Sequence, residues 1–304
     1  MRGMSHRVPC GTEGTGSHEG TQAMPSYSPT VRRRRLSLAL REIRVGTGLT
    51  AVEAAKRLEW DPSKVSRMER NDWKLPNVND IRLLLDLYEV SDQRQREALI
   101  TLARESRQRG WWADYQDVFR SGLPDFEAGA SAIRTYEALL MPGLLQTADY
   151  ASAVWRAGQV QEEAVVQRSV AARLARQEIL ERDDPPSLLA LIDEAAIQKL
   201  VGGEAIMAAQ VRHLIEMAAR PSVTIQIVPH EVGAHAAMLG PFTILDFPED
   251  PSLVYLETAT DSLWLEKPDE YQRYSLIFSH VMTSALPPEE SLRRMESQVD
   301  QLNR

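Results

Sequence analysis

Ser63, Lys64, Arg67 and Arg70 all carry hydrogen-bond donors, and they fall around the apolar pair Val65 and Met68. On a helix this spacing turns Val65 and Met68 to one face and the donors to the other. Such an outward face does recognition chemistry, because hydroxyl and guanidinium groups meet acceptors on base edges in a DNA major groove and on the phosphates beside it. Upstream, Thr50 and Glu53 form a capping box, so a first helix is expected from Ala51 to about Leu58, with Ala54 and Ala55 small enough for a close neighbour. A turn over Glu59 to Asp61 leads to Asp61-Pro62, a second helix start, and Asn71 suits the left-handed residue that ends that helix. The four consecutive arginines Arg32, Arg33, Arg34 and Arg35 are expected to act as an arm along phosphates or in a minor groove, and Lys74 as a further phosphate contact.

Other reactive residues do not assemble into a catalytic pattern. His230, Glu231 and His235 approach a zinc-protease motif, but the second histidine is five positions on instead of four, which rotates it by about 100° off the shared face, and Pro229 and Gly233 oppose a helix. No metal site is expected. Asp193-Glu194 reads as a cap at a strand-to-helix junction, and Gly202-Gly203 is too little for a phosphate loop. Cys10 is the single cysteine, so no intrachain disulfide forms. The chain is therefore expected not to be an enzyme and to use no cofactor.

The run from Leu40 to Pro76, LREIRVGTGLTAVEAAKRLEWDPSKVSRMERNDWKLP, resembles the DNA-binding domain of phage lambda-type repressors and the XRE family of bacterial regulators, a likeness that holds from about Leu38 to Tyr88. The resemblance implies that Thr50 and Ala51 sit at the phosphate backbone and that Pro62, Ser63 and Arg67 face base edges. It also implies an internal ion pair between Arg44 and Glu69. Two positions where glycine is usual hold Glu59 and Asn71, and Pro62 lacks the side-chain donors some repressors use there, which shifts readout toward Ser63, Lys64 and Arg67. Further on, Trp111-Trp112, YEALLMPGLLQT from Tyr136 to Thr147, Tyr150, Arg173 to Gln177, Asp193-Glu194, Pro221 to Pro229 and Gly240 to Thr243 resemble the C-terminal effector domain of many actinobacterial regulators. That resemblance implies a transcriptional regulator, often encoded beside a small partner protein and described as antitoxin-like.

These elements must be held by two domains, and the charge divides accordingly. The net charge of −8 separates into +6 over residues 24–110 and −14 over 111–304, so a polyanion is drawn to the first segment and repelled by the second. The organisation expected is a disordered leader (1–30, with Met24 a second candidate start), a five-helix DNA-binding domain (31–106), an α+β effector domain (107–288) and a terminal helix (289–304). The class is thus mainly α with a C-terminal α+β domain. In that second domain the pattern gives helices over 131–140, 147–157, 162–181, 194–201 and 205–219, a strand over 187–192, and three or four antiparallel strands from Val223 to Leu265. Trp111, Trp112, Tyr115, Tyr136 and Tyr150 are its candidate ligand or partner site. Leu292, Met295, Val299 and Leu302 make a short apolar stripe that suits either a dimer contact or its own domain.

The function expected is sequence-specific regulation of transcription through double-stranded DNA. A homodimer on a pseudo-palindromic operator follows from the few base pairs one such helix reads. The second domain would sense a small-molecule effector or a small partner protein; the alternative is an antitoxin-like interaction module that autoregulates its operon. No membrane span or signal core is visible, and a cytoplasmic location is expected.

Overall fold

Ser28 opens the first helix by accepting the Val31 N–H, and Pro29 supplies the fixed φ that suits a first helical position. The computed structural model describes residues 28–73, 75–108, 110–119, 121–158, 162–258 and 260–304. Lys74, Cys10, Met24 and nearly all of the expected leader lie outside these. Helices α1 (Pro29–Gly46), α2 (Ala51–Arg57), α3 (Lys64–Glu69), α4 (Val78–Leu87) and α5 (Gln93–Glu105) build the first domain. Their core joins Leu36 and Leu40 of α1 to Ala54, Ala55, Val65, Met68, Ile81, Leu84, Leu85 and Leu99. Ala54 and Ala55 are wholly buried, which is how α3 comes close to α2.

Three successive helices in this domain end the same way. Glu59, Asn71 and Glu89 have φ of 56°, 60° and 56°, and the following N–H groups of Trp60, Asp72 and Val90 reach back to Ala55, Arg67 and Leu85. This left-handed closure satisfies carbonyls that the helix leaves free. Only Asn71 is a residue type that tolerates it well, so Glu59 and Glu89 hold strained backbone.

One ion pair ties the ends of the domain together. Arg44 grips Glu69 with Nε to Oε1 at 2.6 Å and Nη2 to Oε2 at 2.8 Å, and also donates to the Leu49 carbonyl. Both side chains are largely buried, so the end of α1, the entry to α2 and the end of α3 are fixed by one bidentate contact.

The second domain contains α6 (Leu123–Gly129), β1 (Ala132–Glu137), α7 (Ala148–Ala157), α8 (Glu163–Gln177), β2 (Ser187–Asp193), α9 (Glu194–Gln198), α10 (Glu204–Ala218), β3 (Val223–Val228), β4 (Phe242–Asp246), β5 (Leu253–Glu257), β6 (Ser262–Leu265), α11 (Pro268–Ser284) and α12 (Pro288–Leu302). Two expectations are corrected here. The segment 131–140, expected to be helical, is strand β1 at the sheet centre, where Ile133 and Thr135 bring β-branched side chains to one covered face and Tyr136 fills the other. The small antiparallel sheet is instead a six-stranded mixed sheet in the order β3-β2-β1-β4-β5-β6. Strands β1, β2 and β3 run parallel, and β4, β5 and β6 continue antiparallel from β1. Parallel strands need helical crossovers that cover both faces, and the sequence between Ala132 and Val228 provides them.

On one face, Ile133, Leu188, Ile225, Leu245 and Tyr255 belong to one core, in which α10 and α12 cover β3. On the other, Tyr136, Leu191, Phe242 and Val254 meet Phe278 and Val281 of α11, a helix that the sequence pattern did not single out. The C-terminal stripe packs on its own domain, with Met295 fully buried and Leu292, Val299 and Leu302 against the same core.

Replacing Glu69 by alanine leaves the Arg44 guanidinium buried without its counter-ion, and is expected to destabilise the first domain by about 3 to 5 kcal/mol in urea unfolding followed by circular dichroism. Glu59→Gly relieves left-handed strain and should stabilise the same transition by about 1 kcal/mol.

Candidate nucleic-acid interface and an interior cavity

The surface formed by α2 and α3 is built from the capping box upward. Thr50 Oγ1 accepts the Glu53 N–H at 3.2 Å while Glu53 Oε2 accepts the Thr50 N–H at 2.8 Å, and these Thr50 bonds hold the Glu53 carboxyl below its ordinary range. Thr50 is exposed and Ala51 half-buried at the start of α2. The turn into α3 is longer than expected: α3 begins at Lys64, and Asp61 shapes the preceding turn by accepting the Ser63 N–H at 2.9 Å. Ser63 also donates its hydroxyl to Asp61, which orients that hydroxyl and lowers the Asp61 pKa. Val65 and Met68 are buried, and Ser63, Arg67 and Arg70 are exposed on the opposite side.

Lys64 and the four arginines of the run have partners within the protein. Lys64 is turned back into its own domain, with Nζ 2.8 Å from Asp80 Oδ2 and 3.8 Å from the Trp60 ring centroid, so its charge is already matched. The arginine run is not an arm but about one turn of α1. Arg34 is 4% exposed and bonds Glu266 and the Pro251 carbonyl, each at 3.0 Å. Arg35 pairs with Glu249 and Arg32 with Glu105, while Arg33 Nε donates to Asn71 Oδ1 at 2.9 Å. The reason is that Arg34 and Arg35 face the acidic second domain, and ion pairs with Glu266 and Glu249 compete with phosphate for the same guanidinium groups. Lys74 lies outside the described residues.

The five aromatic residues of the expected ligand site are also separated. Trp111 stacks edge-on with Trp112 and Tyr115 at centroid distances of 6.0 and 6.1 Å. Tyr136 lies under the opposite sheet face, its hydroxyl 3.4 Å from Asp193 Oδ2, and Tyr150 is fully buried and accepts the Met141 N–H at 3.2 Å. His235 contacts Asp193 and Tyr136, whereas His230 reaches Gln198. Among the described residues no group of three or more His, Cys, Asp or Glu could hold a metal ion. Asp193 caps α9 through the Ala195 N–H, and Glu194 accepts the His230 N–H and bonds Arg294.

The cavity that the fold does form, about 1060 Å³, opens between the sheet and helices α7 and α8. Glu137, Thr243, Tyr255 and Glu257 line it from one sheet face, and Trp155, Arg173 and Arg176 from the helices. Arg176 binds Glu127 of α6 bidentately at 2.6 and 2.7 Å. Burial pushes Glu137 up to about 8, offset in part by the nearby Arg176 and Arg173, and burial with the neighbouring Arg176 lowers Arg173 to about 10. Glu137, Gln146, Arg173 and Arg176 all fall in the blocks that carry the family likeness, which gives them no individual role. The legible signal was Arg173 and Arg176 three apart on a helix whose neighbours are apolar, a place where solvated charge is not expected.

Because the folded Glu137 binds its proton more tightly than an unfolded chain does, the stability it contributes is whole at low pH and is lost as pH rises toward 8. Glu137→Gln removes that loss. Its melting temperature should match that of the parent near pH 4 and exceed it by several degrees at pH 9, as read by scanning calorimetry of both proteins.

Among the described residues no helix is long and apolar enough to cross a membrane. No curated protein and no solved structure matches the chain. A model described as a helix-turn-helix domain matches residues 35–99, a match that supports DNA binding and a role in transcription regulation. A second, described as a domain of unknown function (DUF5753), matches residues 121–297. That match spans more than half of the sequence, so the chain belongs to the DUF5753 family, as a helix-turn-helix regulator whose C-terminal domain has no assigned function.

Proposed function

We propose that the chain is a sequence-specific transcriptional regulator that places α3 in a DNA major groove, binds a pseudo-palindromic operator as a homodimer, and is modulated through its second domain. The observation that carries this reading is the exposure of Ser63, Arg67 and Arg70 on a short helix whose opposite side is locked by Val65, Met68 and the Arg44–Glu69 pair. A rigid backing lets a few side chains discriminate among bases, because discrimination depends on angles as well as charge. A single helix of this length reads few base pairs, and pairing two about one helical turn apart is the usual way to reach useful affinity.

Modulation is supported by the packing of α1. Val31 is buried with Leu123 and Phe126 of the second domain, and Ser28 and Thr30 bond Asp125 of α6. Arg33, on the same helix, holds Asn71 at the end of α3. A shift of α6 therefore bears on the segment that terminates the recognition helix.

Selection of bound fragments from random DNA, followed by titration on the recovered site, tests the proposal. Arg67→Ala should weaken the specific site by about 1 to 3 kcal/mol and relax preference at one base position. Arg34→Ala should leave the salt dependence of binding unchanged, since its guanidinium is engaged within the protein. Recovery of no preferred site, or equal loss on specific and random DNA for Arg67→Ala, would overturn the assignment.

A further inference from the structure

The cavity has side-chain atoms that the fold itself leaves unsatisfied. Gln146 Oε1 and Trp155 Nε1 are buried without a hydrogen-bond partner among the described residues, and both residues line it, whereas the Tyr255 hydroxyl lies close to Ser121 and Glu257. Native proteins leave few such groups unmatched, because each costs the desolvation of a donor or acceptor. Their chemistry is complementary: the indole N–H can only donate and the amide oxygen can only accept. The Gln146 amide is fixed the right way round, since its Nε2 is committed to the Met141 carbonyl at 2.8 Å.

The cationic groups divide unequally. Arg176 is matched by Glu127, but Arg173 makes no hydrogen bond or ion pair among the described residues and feels Glu257, Glu137 and Glu127 only through space. Glu137 does not supply a firm counter-charge, because its burial favours the neutral acid. Phe119, Met141, Val154 and Val165 give the cavity an apolar wall, and Asp117, Arg168, Glu257 and Asp261 stand elsewhere in its lining. The volume is near the upper end for small-molecule sites, which span ~300 to 1,000 Å³. Its place also fits: Glu137 ends β1, the strand flanked by parallel β2 and antiparallel β4, and α/β sheets bind ligands beyond strand ends where the connectivity changes.

We propose that this cavity binds a small amphipathic carboxylic acid, its carboxylate held by Arg173, its apolar body between α7 and the sheet, and a hydrogen-bond donor on it satisfying Gln146. A planar carboxylate suits the guanidinium fork, and the apolar lining favours an organic acid over an inorganic anion. The identification deepens the modulatory reading above and rests on it for consequence, while the binding event itself does not depend on DNA.

The test titrates the full chain with 3-hydroxybenzoate and, separately, with 3-hydroxybenzamide, by calorimetry at pH 7 without DNA. The acid should bind saturably and at least tenfold more tightly than the amide, and Arg173→Gln should abolish that preference while the unliganded melting temperature stays near the parental value. If Arg173→Gln does not fold, Trp155→Phe, which keeps an aromatic wall and removes the N–H, should weaken the acid severalfold. Absence of saturable binding by the parent, or equal affinity for acid and amide, overturns the proposal. Saturable, Arg173-dependent binding that leaves operator affinity unchanged upholds the site and refutes modulation through it.

Discussion

Because α1 buries Leu36 and Leu40 in the core of the helix-turn-helix domain and Val31 in the core of the second, the two domains share one rigid element. A helix transmits rotation along its length, so the orientation of α2 and α3 is set by whatever holds the N-terminal turns of α1. Those turns are held by more than apolar contact. The Ser28 hydroxyl donates to Asp125, Arg34 bonds Glu266 and the Pro251 carbonyl, and Gly129 leaves room for Ser28 and Val31, where an added Cβ would lie 3.1 Å from the Ser28 Cβ. Burial raises the Asp125 carboxyl, opposed by the bonds from Ser28 and Thr30, which is the signature of a polar contact inside an apolar seam.

This seam also redistributes charge. The basic excess of residues 24–110 looks, on composition, like a single attractive surface for DNA. In the folded chain Arg34 and Arg35 face Glu266 and Glu249 of the second domain, Arg96 pairs with Asp86 and Lys64 with Asp80. Among the described residues, the exposed cations on α2 and α3 and at the end of α3 are then Lys56, Arg57, Arg67 and Arg70, a smaller set. Fewer fixed charges near a groove reduce attraction to arbitrary DNA more than they reduce discrimination among bases, which depends on donor geometry.

Local signals were readable where local physics decides. The Thr50–Glu53 box, the inward Ala54, Ala55, Val65 and Met68, the left-handed Asn71 and the Asp193 cap all depend on neighbours within a few residues, and all are found where spacing put them. The strand at Ala132–Glu137 was not readable in the same way, because its state is imposed by β2 and β4, whose partners lie more than fifty residues away. The arginine run failed as an arm for a related reason: its solvated and its paired forms look identical until the glutamates 214 and 232 positions away are brought alongside. The five aromatics do not form one cluster because Tyr136 and Tyr150 belong to opposite sides of the sheet, and strand β1 is what separates them.

Helix α6 connects the cavity to this shared element. Its seven residues include two buried carboxylates two positions apart, Asp125 directed to α1 and Glu127 to Arg176 at the cavity wall. A short helix so occupied on both sides cannot follow one partner without disturbing the other, since each carboxylate would lose a charged or hydroxyl partner in a buried place. In the modulation proposed above, a ligand on Arg173 that also drew Arg176 toward the cavity would pull on Glu127, tilt α6, and strain the Asp125 contacts to Ser28 and Thr30. From there Arg33 leads to Asn71, the residue whose left-handed backbone closes α3. The modulation proposed above would consist of alternative pairings for a few buried charges and would require only a small displacement, because buried ion pairs weaken steeply once their bidentate geometry is lost.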